Sequence, residues 1–557
     1  MLTIYPQKSF FTPEDPVQLV MENKGSSTSE ILKIHHLTTT VQEKEILLPE
    51  GTSVHNIGTF PLGGYRVSLQ QATTAFDVQE PHHQPLRYGY LSRFGQDAPS
   101  SKAAARSMLR LHVSAVMFYD WMYRHHDPVG GGEEYTDALG APASLKVVRD
   151  RIQACHQSGM AAMAYGAFYA CCHEYYEQHP EQALYAAPEE PEELINEFFI
   201  MDISQPSLWR KHITQKYAEG LEVTGFDGYH LDQYGYPKEA LTADGRRVFL
   251  DQDFPDFIDE MAQAVRQVHP QKFNTFNNVN NWPTDTTANS DVVGTYIEVW
   301  KPYVTYRHLK KLIDDARTLA PRKPVVLSAY MVPWKEAGES VEQAQKALDA
   351  TLLANAVILA SGGWQLIYGE HQHILHDPYY LNDFTLSNDA YEQLRLQADF
   401  SVMHRELLSH PSLRDRTEAN LSFPEYGESF ADASGGQVAV RGVEISHELD
   451  GGRFGFIYKE RPGWKVAHLI NLLGNDSLWN TPKNRPVQAP SVQLEIATTA
   501  KVNGVYYAQP GIQGGMLQPL DWNMDHSGKG MSVHVEIPAP LYWGMVVIEE
   551  DPSELHC

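Results

Sequence analysis

Eight short strand-like runs, at 88–91, 115–119, 161–167, 226–231, 275–277, 292–299, 324–329 and 363–367, recur over about 320 residues with helical stretches between them. A parallel strand pair needs a crossover of a dozen or more residues, which a helix supplies, so strands alternating with helices predict a parallel sheet. Eight such units fit a closed (β/α)8 barrel with insertions. The helices show in stretches such as 254–269 and 340–359, where apolar positions recur about every 3.6 residues. Outside this region the rhythm changes. Residues 1–80 carry short alternating segments, among them 17–22 and 65–69, separated by Pro, Gly and Ser turns, which predicts a small antiparallel, immunoglobulin-like β-sandwich. A linker, EPHHQP at 80–85, precedes the barrel at 86–415. From 418 to 557 alternating strands return with Gly-rich turns at 435–436, 451–452 and 514–515, predicting a second antiparallel β-sandwich. The expected class is thus multidomain α/β plus β.

Two of the barrel runs carry an acid at or near their C-terminal ends. In GFDGYHLDQYG, at 225–235, the period of two puts Phe226, Gly228, His230 and Asp232 on one face and Tyr229 and Leu231 on the other. In GTYIEVW, at 294–300, Tyr296, Glu298 and Trp300 share a face while Ile297 and Val299 point away. Polar and aromatic rows facing into a barrel cost stability unless they serve a purpose. Asp232 and Glu298 are therefore expected at neighbouring strand ends on the C-terminal mouth, where barrel enzymes hold their chemistry. Paired carboxylates there suit glycoside cleavage. A metal site on His230 and Asp232 is the rival, but no further His, Asp or Glu follows at ligand spacing, so no metal is expected.

Charge narrows the partners. With 44 Lys and Arg against 70 Asp and Glu the net charge is −26 and no basic block occurs, which argues against nucleic acid and anionic membranes. The four cysteines, Cys155, Cys171, Cys172 and Cys557, form no disulfide framework. Cys171 and Cys172 read as small buried residues. The N-terminus lacks a signal-peptide pattern and no apolar run reaches membrane-spanning length, so a soluble cytoplasmic protein is expected unless a leader has been trimmed. No Gly-rich phosphate loop stands between a strand and a helix, and no nucleotide or redox cofactor is implied. Oligomeric state is open.

FYDWMYRHHDP at 118–128, FDGYHLDQYG at 226–235, TYIEVW at 295–300 and YGEHQ at 368–372 resemble glycoside hydrolase family 66, which contains endo-dextranases and cycloisomaltooligosaccharide glucanotransferases. The resemblance spans the barrel and both flanking β regions. It implies that Asp232 is the nucleophile, that Glu298 is the general acid/base and that the bond cleaved is α-1,6-glucosidic. The chemistry expected is double displacement with retention, which needs carboxyl groups roughly 5–5.5 Å apart and different pKa values. Glu298 should be raised, with Tyr296 and Trp300 as its apolar surroundings, and Asp232 held low by hydrogen bonds or positive neighbours.

Around the acids a glucose-binding shell is expected. Asp120, after the second run, either accepts from sugar hydroxyls or caps and salt-bridges, with Arg124 as a partner. Asn277, Asn278 and Asn280 follow the fifth run and either bind hydroxyls or serve a turn. Tyr330 and Glu370 sit at the mouth by position, and the resemblance favours Glu370. Trp121, Trp282, Trp334 and Trp364 are candidate stacking platforms or core. His125 and His126 read as hydrogen-bonded loop residues, and Trp464, Trp479, Tyr506 and Tyr507 offer a binding face in the C-terminal region.

The leading reading is a hydrolase of α-1,6-glucan or linear and cyclic isomaltooligosaccharides. The alternative is a glucanotransferase making cyclic products. Cyclising members of the family typically carry a carbohydrate-binding module within the barrel region, and no interval between the eight runs is long enough for one, which tilts the expectation toward hydrolysis. A non-catalytic carbohydrate-binding barrel is the third reading, set against by the intact acids.

Overall fold

In the computed structural model all eight expected runs form one parallel sheet. In chain order its strands are Tyr88–Leu91, Ala115–Phe118, Ala161–Gly166, Gly228–Leu231, Thr275–Val279, Thr295–Glu298, Val325–Ser328 and Trp364–Gln365. Each pairs with its sequence neighbour in the series, and a parallel bridge between Tyr90 and Gly369, with the Tyr90 N–H donating to Tyr368 O at 3.0 Å, joins the segment just past the last strand to the first. The sheet therefore closes into a barrel. The description covers residues 2–81, 83–420, 422–423, 428–429, 438–525 and 531–551; His82, Gly435–Gly436 and Cys557 of the sequence argument lie outside it.

Local chemistry sets where the fourth strand begins. The helix Leu208–Thr224 starts at Ser207, whose hydroxyl accepts from Arg210 N, and stops at Gly225, which takes φ 89. That left-handed stop is the usual glycine C-terminal signal. Three residues later Gly228 lies so close to the chain entering the fifth strand that a Cβ there would meet Phe273 O at 1.5 Å. The glycines thus fix both the turn and the lateral approach of the strand that delivers Asp232.

The helix Val341–Ser361 is buried from Ala347 to Ser361 on every side, which its nearly unbroken apolar sequence permits. Part of its cover comes from the C-terminal β region, whose Tyr542 donates to Asp349 at 2.6 Å, and whose Ile457, Val466, Ile470 and Trp543 join the barrel core. That region consists of two antiparallel-dominated sheets around a second core that includes Phe454, Leu494 and Val546. Two N-terminal antiparallel sheets enclose a third core around Leu19, Val67 and Phe76. β-Sandwiches therefore flank the barrel on both sides in sequence. Among the described residues no helix is long and apolar enough to cross a membrane.

Candidate active site

Asp232 follows the last residue of the fourth strand, and Glu298 is the last residue of the sixth. The sequence argument set them on neighbouring strands; the sheet order places the fifth strand, Thr275–Val279, between them. This intervening strand supplies the link. Asn277 Nδ2 donates to Asp232 Oδ1 at 2.7 Å and to Glu298 Oε2 at 3.0 Å. Two bonds from one nitrogen hold those two oxygens no more than about 5.7 Å apart. The two acceptors also fix the amide's orientation, since a flipped amide would set its oxygen against both carboxylates. Asn277 Oδ1 is left buried without a protein partner.

The two acids have similar sets of donors. Tyr165 Oη donates to Asp232 Oδ2 and Tyr330 Oη to Glu298 Oε1, both at 2.6 Å. The Gln233 backbone N–H and the Trp300 side chain also pull Asp232 and Glu298, respectively, downward. Burial nonetheless raises both pKa values. For Asp232 the charge of Glu298 adds to burial and pushes it up to about 7, against the pull of Tyr165, Asn277 and Gln233. The expected low Asp232 is therefore not found: no cation is among the main influences on it, and its hydrogen bonds do not outweigh desolvation. Close and buried together, the two acids disfavour being ionised at once, so one proton is held between them well above the usual carboxylate range.

A cavity of about 910 Å³ opens over the pair, with Asp120, His230, Tyr296, Trp300 and Tyr330 of the expected shell on its wall. His230 lies at its base with Nδ1 2.9 Å from Thr275 Oγ1, and burial lowers its pKa to about 3, so the ring is neutral. Tyr296 Oη lies 3.4 Å from Tyr380 Oη. Trp300 lies beyond the strand end, 40% exposed, with its ring 5.6 Å from that of Tyr330. Asp120 takes φ 51, and its buried Oδ2 has no protein partner. Burial, Asp137 and Asp232 raise its pKa well above the usual carboxylate range. Arg124, its expected partner, pairs instead with Glu174 at 2.5 Å.

Other expected residues lie elsewhere. Asn278 alternates to the opposite face, where its amide donates to Tyr296 O at 3.0 Å and accepts from Thr287 at 2.6 Å, so it is a structural asparagine outside the cavity. Glu370 is fully buried and lies 2.7 Å from the equally buried Arg151. It is absent from the cavity wall because the eighth strand is only two residues long and a short helical turn carries the acid outward to the helix Leu145–Gln157. Of the four tryptophans only Trp282 lines the cavity. Trp121, Trp334 and Trp364 are core residues whose indoles donate to Tyr165 O, Thr351 Oγ1 and Tyr88 O. In the C-terminal region, Trp479 is buried and donates to Tyr303 O at 2.8 Å, bracing the loop after the sixth strand. None of Trp464, Trp479, Tyr506 and Tyr507 lines the cavity.

Tyrosines are what the sequence argument missed. Tyr165 occupies the next-to-last position of the third strand, in register with His230, and that inward position is the signal that could have found it. Tyr119 and Tyr380 stack at 4.2 Å on the same wall. Tyr380 comes from the long segment after the eighth strand, where no periodicity pointed inward. Among the described residues the group of three possible metal ligands lying close together is Cys172, Glu174 and Glu197, none of them on the cavity wall. Burial pushes the Cys172 thiol up to about 12.

The chain matches the sequence profile of glycosyl hydrolase family 66 over residues 6–547. Two curated relatives, both described as cycloisomaltooligosaccharide glucanotransferase from Niallia circulans, are 25% and 24% identical, with 98% and 99% of this chain and 71% and 72% of theirs covered. The fold is similar to that of a Paenibacillus sp. cycloisomaltooligosaccharide glucanotransferase solved with cycloisomaltoheptaose, with a TM-score of 0.86, 21% identity and coverage of 98% of this chain and all of that one.

Proposed function

Because the chain belongs to glycosyl hydrolase family 66, we propose that it is a retaining α-1,6-glucosidic enzyme acting on isomaltooligosaccharides, and that it passes the cleaved glucosyl chain to a sugar hydroxyl. The observation that carries the retaining mechanism is the Asn277 bridge. A ceiling of about 5.7 Å between the bridged oxygens fits a nucleophile and an acid/base roughly 5–5.5 Å apart; inverting pairs stand about 6.5–9.5 Å apart to admit a water.

In the first step Asp232, ionised, attacks the anomeric carbon as Glu298 gives its proton to the leaving glycosidic oxygen. A glucosyl ester on Asp232 and a shortened sugar result. In the second step Glu298, now ionised, takes the proton of an acceptor hydroxyl, which displaces Asp232 and restores the starting charges. The pair's retained proton is the one used in the first step. Tyr165 donates to the carboxylate that leaves in the second step and so favours its departure as an anion.

Transfer is favoured over hydrolysis by the two curated relatives, both described as glucanotransferases. Hydrolysis keeps one specific point in its support. The alignment to the first of these relatives runs over 694 residues, whereas this chain has 557, so the relative carries long stretches without a counterpart here. Product analysis decides between them. Incubation with linear isomaltooligosaccharides should give cyclic or lengthened products that vanish in Asp232→Asn and Glu298→Gln. Shorter linear sugars alone would make the enzyme a hydrolase, and no turnover of linear or cyclic substrates would overturn the proposal.

A further inference from the structure

The hairpin made by Glu193–Leu194 and Phe198–Ile200 overhangs the cavity, with Leu194, Ile195 and Phe198 on the wall. A bond from Glu197 N to Leu194 O, 3.2 Å long, closes its turn, and the two central residues, Ile195 and Asn196, take φ 53 and 56. Two successive positive φ values are the mark of a type I′ turn, whose central positions are dominated by Asn, Asp and Gly. Asn196 suits that geometry. Ile195 does not, because a β-branched side chain in the left-handed region crowds its own backbone. Packing does not account for it either, since Ile195 is 66% exposed. An isoleucine that is both poorly suited to its backbone and open to water is a local cost with no local return.

The hairpin below this tip is firmly held. Phe198–Ile200 pairs with Ala170–Cys172, the Phe198 ring packs 4.6 Å from His125, and Tyr236 Oη donates to Glu193 O at 3.0 Å. The tip therefore has a fixed position relative to the catalytic acids. Leu139 and Trp300 are the other exposed large apolar residues on the cavity wall, so the lip carries separate apolar points around a polar, tyrosine-lined floor. A sugar chain presents C–H faces, and each α-1,6 link adds a methylene, so an aliphatic side chain at the lip has a matching surface on such a substrate.

We infer that Ile195 is a specificity-determining residue: an apolar contact for a glucosyl unit beyond the one held by Asp232 and Glu298, so that it sets the preference for longer isomaltooligosaccharides. The inference rests on the substrate class proposed above. It is tested with Ile195→Gly and Ile195→Asn, which suit the turn but remove the apolar surface, and Ile195→Leu, which keeps it. The readouts are Tm and kcat/KM over a series of isomaltooligosaccharides of increasing length. The Gly and Asn variants should have Tm values at or above wild type, while the ratio of kcat/KM between the longest and shortest substrates falls by roughly tenfold, the worth of burying part of one aliphatic side chain. The Leu variant should keep most of that ratio. An unchanged ratio in the Gly and Asn variants, or a loss equal at all lengths, would overturn the inference while leaving the substrate class standing. A wild-type enzyme that turns over none of the series would overturn both.

Discussion

Replacing Glu370 by Gln separates two readings of the same acid. By sequence position it belongs to a glucose-binding shell; in the fold its Oε2 lies 2.7 Å from Arg151 Nη1 with both side chains fully buried. The contact is off the line of a good hydrogen bond, because neither atom has a hydrogen-bond partner, so the attraction is chiefly coulombic. At 2.7 Å and an effective dielectric constant of about 20 it amounts to about 6 kcal/mol. Much of that offsets the cost of dehydrating two charges. Removing one partner loses the attraction yet keeps the dehydration of the other, and the Arg151 guanidinium, whose remaining neighbours include the Phe94 ring at 6.0 Å, would be stranded. The expected loss is about 3–5 kcal/mol. It should appear as a lower urea midpoint and a lower Tm, with kcat/KM per folded molecule within about twofold of wild type. Replacing both residues with apolar ones of similar volume, as in Arg151→Met with Glu370→Leu, should recover most of the stability. A Glu370→Gln enzyme with wild-type stability and a large rise in KM would refute the reasoning and return Glu370 to the substrate shell.

Further expectations concern Asp232 and Glu298 as the proposed catalytic pair. The basic limb of the kcat/KM profile should mark loss of the pair's single proton, which Glu298 must hold for the first step, and because burial raises both acids it should lie well above the ordinary carboxylate range; in Glu298→Gln, assayed with a leaving group that needs no protonation, that limb should disappear. Asn277→Ala removes a donor that lowers both pKa values, so the basic limb should move to higher pH as kcat/KM drops by about 10²-fold, and a downward move would contradict the bridge. Stability should respond in the opposite sense to activity in Asp232→Asn. The folded-state pKa of Asp232 is raised from 3.8 to about 7. Below about pH 4 both states are protonated and no penalty arises; between there and about pH 7 the unfolded chain ionises first, and above pH 7 the folded state bears the full cost, at most about 4 kcal/mol. Chemical denaturation across pH should therefore show the Asn variant gaining on wild type up to about pH 7 and then running parallel to it.

The barrel was legible in the chain because its signal is repeated: each of the eight runs is short, apolar and followed by a helix, and errors at single boundaries do not change the count. The same alternation placed Asp232, Glu298, His230 and Tyr296 on the cavity side, since a period of two fixes facing as soon as the strand is known. It failed where facing is set by something other than alternation. Asn277 and Asn278 are adjacent in one strand, and turn chemistry gave them equal claims, yet opposite faces send one to both Asp232 and Glu298 and the other to Tyr296 O and Thr287. Glu370 follows a strand of only two residues, so the period ends before reaching it, and Arg151, more than two hundred residues earlier, decides where it goes. The charge state of the pair was the least legible feature. Donor residues beside an acid argue for a low pKa, and Tyr165, Tyr330 and Asn277 are all donors; what outweighs them is the depth of burial and the second acid within about 5.7 Å, a distance set by a third strand. That strand also ties the two acids to each other, since the single amide of its Asn277 donates to both carboxylates.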